Sequence, residues 1–371
     1  MISCSLSPNT EADDVWLALR ILFSPRIWKR GRAVHKVEKR FGGVSFNSGR
    51  SALLAILKAF DIGKGDEVII QAFTCVAVPN SVRWAGAIPV YADIDETYNI
   101  DPKDFEKKIT KKIKAVIVQH TFGIPAKIEE IIAIAKKYDI LVIEDFAHTM
   151  SLPMKGDAAF FSFGRDKVIS SVFGGLAIIN DKCPMPNAKL KLKNYHKKLN
   201  TPSLGWIFQQ LFHPIAFSII LPLYRIGIGK VILVLLQRLR LLGFPVYKEE
   251  KLGRQPDDFP AKYPNALAML LLNQLKKLDR FTTQRREISR MYGVDKPYLR
   301  FPKIVDDPEK IIAHAKKQGI LLGNWYHHVV DPVAVGYKTG SCPNAEEAAK
   351  HIINLPTRIS PKDANRVLEA L

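Results

Sequence analysis

The sequence predicts an α/β fold: a three-layer domain built on a mostly parallel sheet, followed by a smaller C-terminal α+β domain. Three observations predict it. Short, almost wholly apolar runs alternate with amphipathic helical segments through residues 51–180. Strands that are apolar on both faces belong to a parallel sheet covered by helices on each side. A basic, acid-free, greasy segment then interrupts the pattern, and mostly helical segments follow it. At 371 residues the chain is long enough for one large and one small domain. With 47% hydrophobic and 25% charged residues it is neither disordered nor fibrous.

The elements follow in order. Residues 51–61 (SALLAILKAFD) carry apolar side chains at three- and four-residue spacing, a helix. EVIIQAF (67–73) and PVYADID (89–95) read as strands. DPKDFEKKI (101–109) reads as a helix behind an Asp101 cap and Pro102. AVIVQHTF (115–122) is a strand, KIEEIIAIAKKYD (127–139) an amphipathic helix and LVIEDFA (141–147) a strand. AAFFSFG (158–164) and GGLAIIN (174–180) are short strands close together. Polar residues 248–262 read as a linker. Helical patterns at 264–293, 307–318, 343–353 and 361–371, with a strand near 299–305, make the small domain. The expected division is 1–181, an insertion at 182–247, and 248–371.

The charge is unevenly placed. The chain has a formal charge of +19. From Lys182 to Lys248 there are eleven Lys and Arg and no acid; from Arg20 to Arg40 there are eight, with Glu38 the one acid. Residues 199–224 carry no formal charge and are strongly apolar. Their Gln, His and Pro residues favour a broken helix lying in a membrane interface over a true span, with the lysines toward anionic headgroups. A buried insertion with solvated basic flanks is the alternative. The lysines flank aliphatic side chains, not an aromatic platform, so nucleic acid is not an expected partner. Cys4, Cys75, Cys183 and Cys342 lie far apart. They make neither a metal cluster nor a disulfide framework, so a reducing compartment and no metal are expected. The N-terminus has no basic region leading into an apolar core, and no signal peptide is expected.

Three features fall at carboxyl ends of expected strands, where open α/β sheets bind ligands. Asn47, Ser48 and Gly49 precede a helix start, either an anion site or a simple cap. Asp145 ends a buried strand, so its carboxylate needs a cation: a protonated heteroaromatic nitrogen or a structural Arg. His148 follows three residues later. Lys167 lies in SFGRDK between two strands, with Ser162 at its start. It is either an amine nucleophile whose pKa burial lowers or an ordinary hairpin lysine.

The order and spacing of these features resemble the DegT/StrS group of sugar aminotransferases, which use pyridoxal phosphate (PLP) and have the fold of the aspartate aminotransferase superfamily. The matching segments are residues 47–95 (NSGRSALLAIL through PVYADID), VIVQHTFGIPA, LVIEDFAH, GDAAFFSFGRDK, FGGLAII and SCPNAEEAAKHIINLPT. The resemblance implies that Lys167 binds the cofactor covalently and shuttles the proton. It implies that Asp145 holds the ring nitrogen protonated and that Ser162, Gly49, Arg50 and Ser51 bind the phosphate. His148 stands where the family has Gln near the ring, and Cys75 where an aromatic stacks on it. Phe73 is two positions earlier, on the same strand face if the strand continues. His120 matches a family position near the site.

Other departures are Arg50 in place of a small Thr and a short loop between His148 and Gly156. Pro260 and Lys262 fall where a partner subunit's Asn and Arg are expected, and the basic insertion falls where the family has a substrate-facing loop. The implied activity is transfer of an amino group from an amino acid, glutamate expected, to a nucleotide- or lipid-linked keto sugar in cell-envelope polysaccharide synthesis. The cofactor passes through its pyridoxamine (PMP) form. A homodimer in the cytoplasm, peripheral on the inner face of the cytoplasmic membrane, is expected. The alternatives are a PMP-dependent sugar dehydratase, a branch that replaces the lysine, and a non-catalytic membrane-associated scaffold.

Overall fold

A computed structural model describes residues 2–332 and 335–371. The chain begins with β1 (Ile2–Ser3), α1 (Ala12–Leu22) and α2 (Arg32–Phe41). The alternating region follows: β2 (Val44–Phe46), α3 (Gly49–Ala59), β3 (Glu67–Gln71), α4 (Ala77–Ala85), β4 (Ile88–Ala92), α5 (Pro102–Lys107), β5 (Ile113–Gln119), α6 (Ile128–Lys137), β6 (Leu141–Asp145), β7 (Ala158–Ser162) and β8 (Gly175–Ile179). Seven strands form one sheet in the order β2-β8-β7-β6-β5-β3-β4. Pairing is parallel from β4 through β7, and antiparallel where β8 meets β7 and β2. The α/β class is therefore as expected. β5 and β6 are almost wholly buried because helices cover both faces.

Register positions the site. Parallel pairing sets Gln119 beside Asp145, and Asp145 beside Phe160. Ser162 at the end of β7 pairs with Gly175. A side chain at Gly175 would put Cβ 2.2 Å from the Ser48 carbonyl oxygen, so only glycine lets β8 approach the start of α3.

The insertion forms α7 (Ala188–Lys198), α8 (Leu204–Leu223) and α9 (Ile228–Arg238). The expected broken interfacial helix is corrected in part. α8 runs unbroken for 20 residues with Pro214 inside it. It is long and apolar enough to cross a membrane, yet 50% of that stretch is buried in the fold. Trp206, Ile207, Leu211, Phe217 and Ile220 are buried, and the helix packs on α1, α9 and the later helix Asn265–Leu275. α9 lies outside it.

The rest comprises α10 (Lys248–Lys251), α11 (Asn265–Leu275), α12 (Leu278–Met291), β9 (Arg300–Ile304), α13 (Pro308–Lys317), β10 (Ile320–Leu321), α14 (Pro343–His351), β11 (Ile352–Pro356) and α15 (Pro361–Glu369). Residues 248–262 are not a free linker: they contain α10, Glu250 is fully buried, and the Asn47 N–H donates to the Ala261 carbonyl (3.0 Å). The pattern at 264–293 is two helices, broken at Lys277, whose ammonium meets Asp13 and Asp14 (2.5 and 2.8 Å). α14 stops where β-branched Ile352 and Ile353 begin a strand paired with β9. β1 pairs with β10, so the first residues join the C-terminal region.

Candidate active site

A cavity of about 260 Å³ opens at the carboxyl ends of β5, β6 and β7. Ser48, Gly49, Arg50, Cys75, Asp145, His148, Ser162 and Lys167 all line it. Ser51 does not. Its hydroxyl lies behind the loop, donating to Asn47 Oδ1 (2.8 Å) and meeting Ser48 Oγ (2.8 Å).

The start of α3 is built as an anion cradle. Ser48 caps the helix, accepting from the Ser51 N–H (3.1 Å), and its carbonyl accepts from the Ala52 N–H (3.1 Å). Among the described residues the N–H groups of Gly49 and Arg50 have no protein partner. Unpaired donors at a helix start, with the dipole behind them, suit a phosphate. A Cβ at position 49 would lie 2.9 Å from Ser162 Cβ, so glycine keeps the Ser162 hydroxyl at this cradle.

Asp145 is buried, and no arginine pairs with it among the described residues. Its Oδ1 accepts from the Ala147 N–H (2.8 Å). Burial pushes its carboxyl up to about 6, against the pull of that hydrogen bond, Lys167 and His120. Lys167 is enclosed as well. Burial lowers its pKa, assisted by Arg300, although Cys75, Asp145 and Asp166 oppose the shift. Asn9 fixes the loop, donating from Nδ2 to the carbonyls of Lys167 (2.6 Å) and Val168 (3.1 Å).

His148 Nδ1 accepts from the Phe122 N–H (3.1 Å), which leaves the proton of the neutral ring on Nε2. Its ring joins Phe122 (6.0 Å) and Tyr326 (6.4 Å) in a cluster of three near-parallel rings, and burial drives its pKa well down. Cys75 lines the wall with its thiol pKa raised by burial. Phe73 is buried against Tyr98, Phe122 and Tyr326 and lies outside the lining. His120 is also outside: Nδ1 accepts from the Ala126 N–H and Nε2–H donates to Glu144 (both 3.1 Å).

Arg50 carries its guanidinium away from the helix start. It forms an ion pair with buried Glu250, donates from Nη2 to the Pro245 carbonyl (2.9 Å) and lies over Phe259 (4.9 Å). Pro245 and Val246 bring the end of the insertion into the cavity wall.

Sequence reasoning missed several lining residues, Arg165, Arg300, Trp325 and Tyr326 among them. Arg165 sits inside the quoted SFGRDK motif, which is the signal that could have found it. Its Nε and Nη2 are closed to solvent without a partner. Burial lowers its guanidinium to about 10, with Arg50 adding to the shift. Both arginines flank Phe173, at 5.6 and 5.7 Å. Two cations on one ring, one of them unpaired, are suited to a bound anion. Arg300 of β9 stacks on Trp325 (3.7 Å), and Tyr326 follows. The Asp331 N–H donates to the Thr74 carbonyl (2.8 Å), which docks this late segment over Cys75.

The cavity fits pyridoxal phosphate on its own chemistry. It offers unpaired N–H groups and a hydroxyl for a phosphate, a buried carboxylate for a pyridinium nitrogen, and a desolvated amine. Residues 20–196 match the DegT/DnrJ/EryC1/StrS aminotransferase family. The pleiotropic regulatory protein of Geobacillus stearothermophilus is 30% identical over 365 residues, covering 93% of this chain and 87% of that one. The GDP-perosamine synthase of Escherichia coli O157:H7 is 35% identical over 176 residues; the match covers 43% of this chain and 48% of that protein, about half its length. Among solved structures, the E. coli GDP-4-keto-6-deoxy-D-mannose-3-dehydratase with bound hydrated PLP aligns at a TM-score of 0.72 and 18% identity, over 100% of both chains. With the sheet order, the cavity and these likenesses in agreement, the chain belongs to the DegT/DnrJ/EryC1/StrS aminotransferase family of pyridoxal-phosphate-dependent sugar enzymes.

Proposed function

We propose that this chain transfers an amino group from an amino acid, with glutamate the expected donor, to a keto sugar carried on a nucleotide or a lipid. The setting we propose is cell-envelope polysaccharide synthesis, by a homodimer in the cytoplasm against the inner face of the membrane. The observation that carries the reading is that Lys167, Asp145, Ser162 and the start of α3 line one cavity. The name of the GDP-perosamine synthase relative supports a sugar substrate.

Bound in this cavity, pyridoxal phosphate supplies an electrophilic carbon and a cationic ring that withdraws electrons from the substrate carbon. The chain's own groups do the rest. The N–H groups of Gly49 and Arg50 and the Ser162 hydroxyl bind the phosphate. The Asp145 carboxylate holds a ring nitrogen in its N–H⁺ form, and that cation offsets the cost of keeping the carboxylate ionised in a buried site. Lys167 Nζ, with a weakened hold on its proton, serves as nucleophile and as the base that moves a proton to and from carbon. Arg165 adds a cation for the cofactor phosphate, and Arg300 attracts anionic groups of donor and acceptor.

Elimination from the sugar is the second reading, because the whole chain superposes on a sugar dehydratase. Lys167 stands against it, since that branch lacks the lysine. Lys167→Ala tests both. Loss of the visible band of bound cofactor together with loss of amino transfer is expected. Undiminished transfer in the variant would remove the mechanism.

A further inference from the structure

α9 carries aliphatic side chains on two sides, and the fold covers only one of them. Ile232, Leu233 and Leu236 turn inward onto α8, packing with Phe217 and Ile220. The outward side carries Ile228, Val231, Val234 and Leu235, with Val231 69% exposed. Other exposed apolar side chains precede this helix in the chain, Ile219 and Ile226, and follow it, Leu239 and Phe244. A group of exposed apolar side chains of this size marks a contact site.

The charges around it have one sign. Arg225, Lys230, Arg238 and Arg240 are all exposed, and the chain has no Asp or Glu between Lys182 and Lys248. On the α9 barrel Lys230, its ammonium over the Tyr224 ring (5.4 Å), borders the outward face, and Arg238 projects between Val231 and Val234, where its long stem can lie along the aliphatic side chains while its cation reaches outward. A second copy of the chain is a poor occupant. A two-fold contact would set this patch against itself and bring like charges together. An anionic lipid surface complements it in both respects: acyl chains for the aliphatic side chains and phosphates for the basic rim.

We infer that α9 and its flanking turns form a docking face for an anionic bilayer, on which α9 lies in the interface plane while α8 stays inside the protein. The next few residues connect this face to the cavity. Phe244 is exposed, Pro245 and Val246 line the cavity, and Arg50 donates to the Pro245 carbonyl (2.9 Å). If the proposed amino transfer to a sugar holds, the docking places the segment bordering the substrate cavity next to the lipid surface.

The test uses the full chain loaded with pyridoxal phosphate and vesicles of phosphatidylglycerol mixed with phosphatidylcholine, against vesicles of phosphatidylcholine alone. Co-sedimentation with the anionic vesicles is expected, with at least about ten-fold weaker partition onto the neutral ones. Val231→Glu with Leu235→Glu is expected to abolish binding. Lys230→Glu with Arg238→Glu is expected to lower anionic binding about ten-fold or more. All four side chains are exposed, and an unchanged unfolding midpoint checks that each variant folds. Wild-type protein that stays in the supernatant overturns the inference, as do variants that bind like wild type. A Val231→Glu, Leu235→Glu protein that loses an oligomer while wild type ignores vesicles also overturns it, assigning the face to a second copy. The visible band of bound cofactor, read in every sample, separates failure of this face from failure of the active-site reading.

Discussion

Asp145 ends an apolar strand in a position where a carboxylate is costly without a cation. Raised from its ordinary value to about 6, it binds its proton more tightly folded than unfolded. Cofactor-free protein therefore loses stability as pH rises from about 4 through 6, and the cost is fully present above that window. Asp145→Asn keeps an acceptor for the Ala147 N–H and removes the charge. In the cofactor-free protein it is expected to raise stability at pH 8 by about 3 kcal/mol and to change little at pH 4. Urea unfolding at the two pH values checks this, and equal effects at both would contradict it. Arg165 makes the complementary case, a buried cation with unpaired nitrogens. Arg165→Met is expected to weaken pyridoxal phosphate roughly ten- to a hundred-fold and to leave pyridoxal binding unchanged. Equal loss for both would assign Arg165 a packing role. Asp145 was legible because it ends an apolar strand, and Ser162 and Lys167 because they bound a short motif between two such strands. Arg300, Trp325 and Tyr326 were not, since they enter from the far end of the chain through tertiary docking that leaves no local pattern.

At the scale of elements, long apolar runs declared themselves: β3 through β8 fall within a few residues of the expected strands, because burial on both faces demands unbroken aliphatic sequence. β1, β2 and β10, each two or three residues long, exist only through their partners and left no pattern to find. Residues 248–262 read as a linker because their polarity hid the buried Arg50–Glu250 pair. The start of α3 depends on glycine at two places, in α3 itself and in β8. Gly175→Ala forces Cβ into the Ser48 carbonyl, which is backbone and can move only with the phosphate cradle. The variant is expected to lose about 1–3 kcal/mol of stability and to bind pyridoxal phosphate at least about ten-fold more weakly. Thermal unfolding and an absorbance titration read the two effects. Wild-type affinity in the variant would show that the cradle does not rest on β8.

Across the whole molecule, the basic segment divides into two roles that composition alone could not separate. α8 supplies core against α1 and α11, while α9 supplies exposed aliphatic side chains together with exposed Lys230 and Arg238. The distinction requires knowing which helix the fold covers. The same holds for the cavity, whose walls come from residues 48–53, 75–81, 119–174, 245–246 and 300–332. The central claim is that this cavity carries out amino transfer. The most direct measurement is the absorbance spectrum of the purified protein with added pyridoxal phosphate, before and after excess glutamate. A visible band that glutamate discharges to the absorbance of the pyridoxamine form is the expected result. A protein that develops no band, or whose band no amino acid discharges, would contradict it.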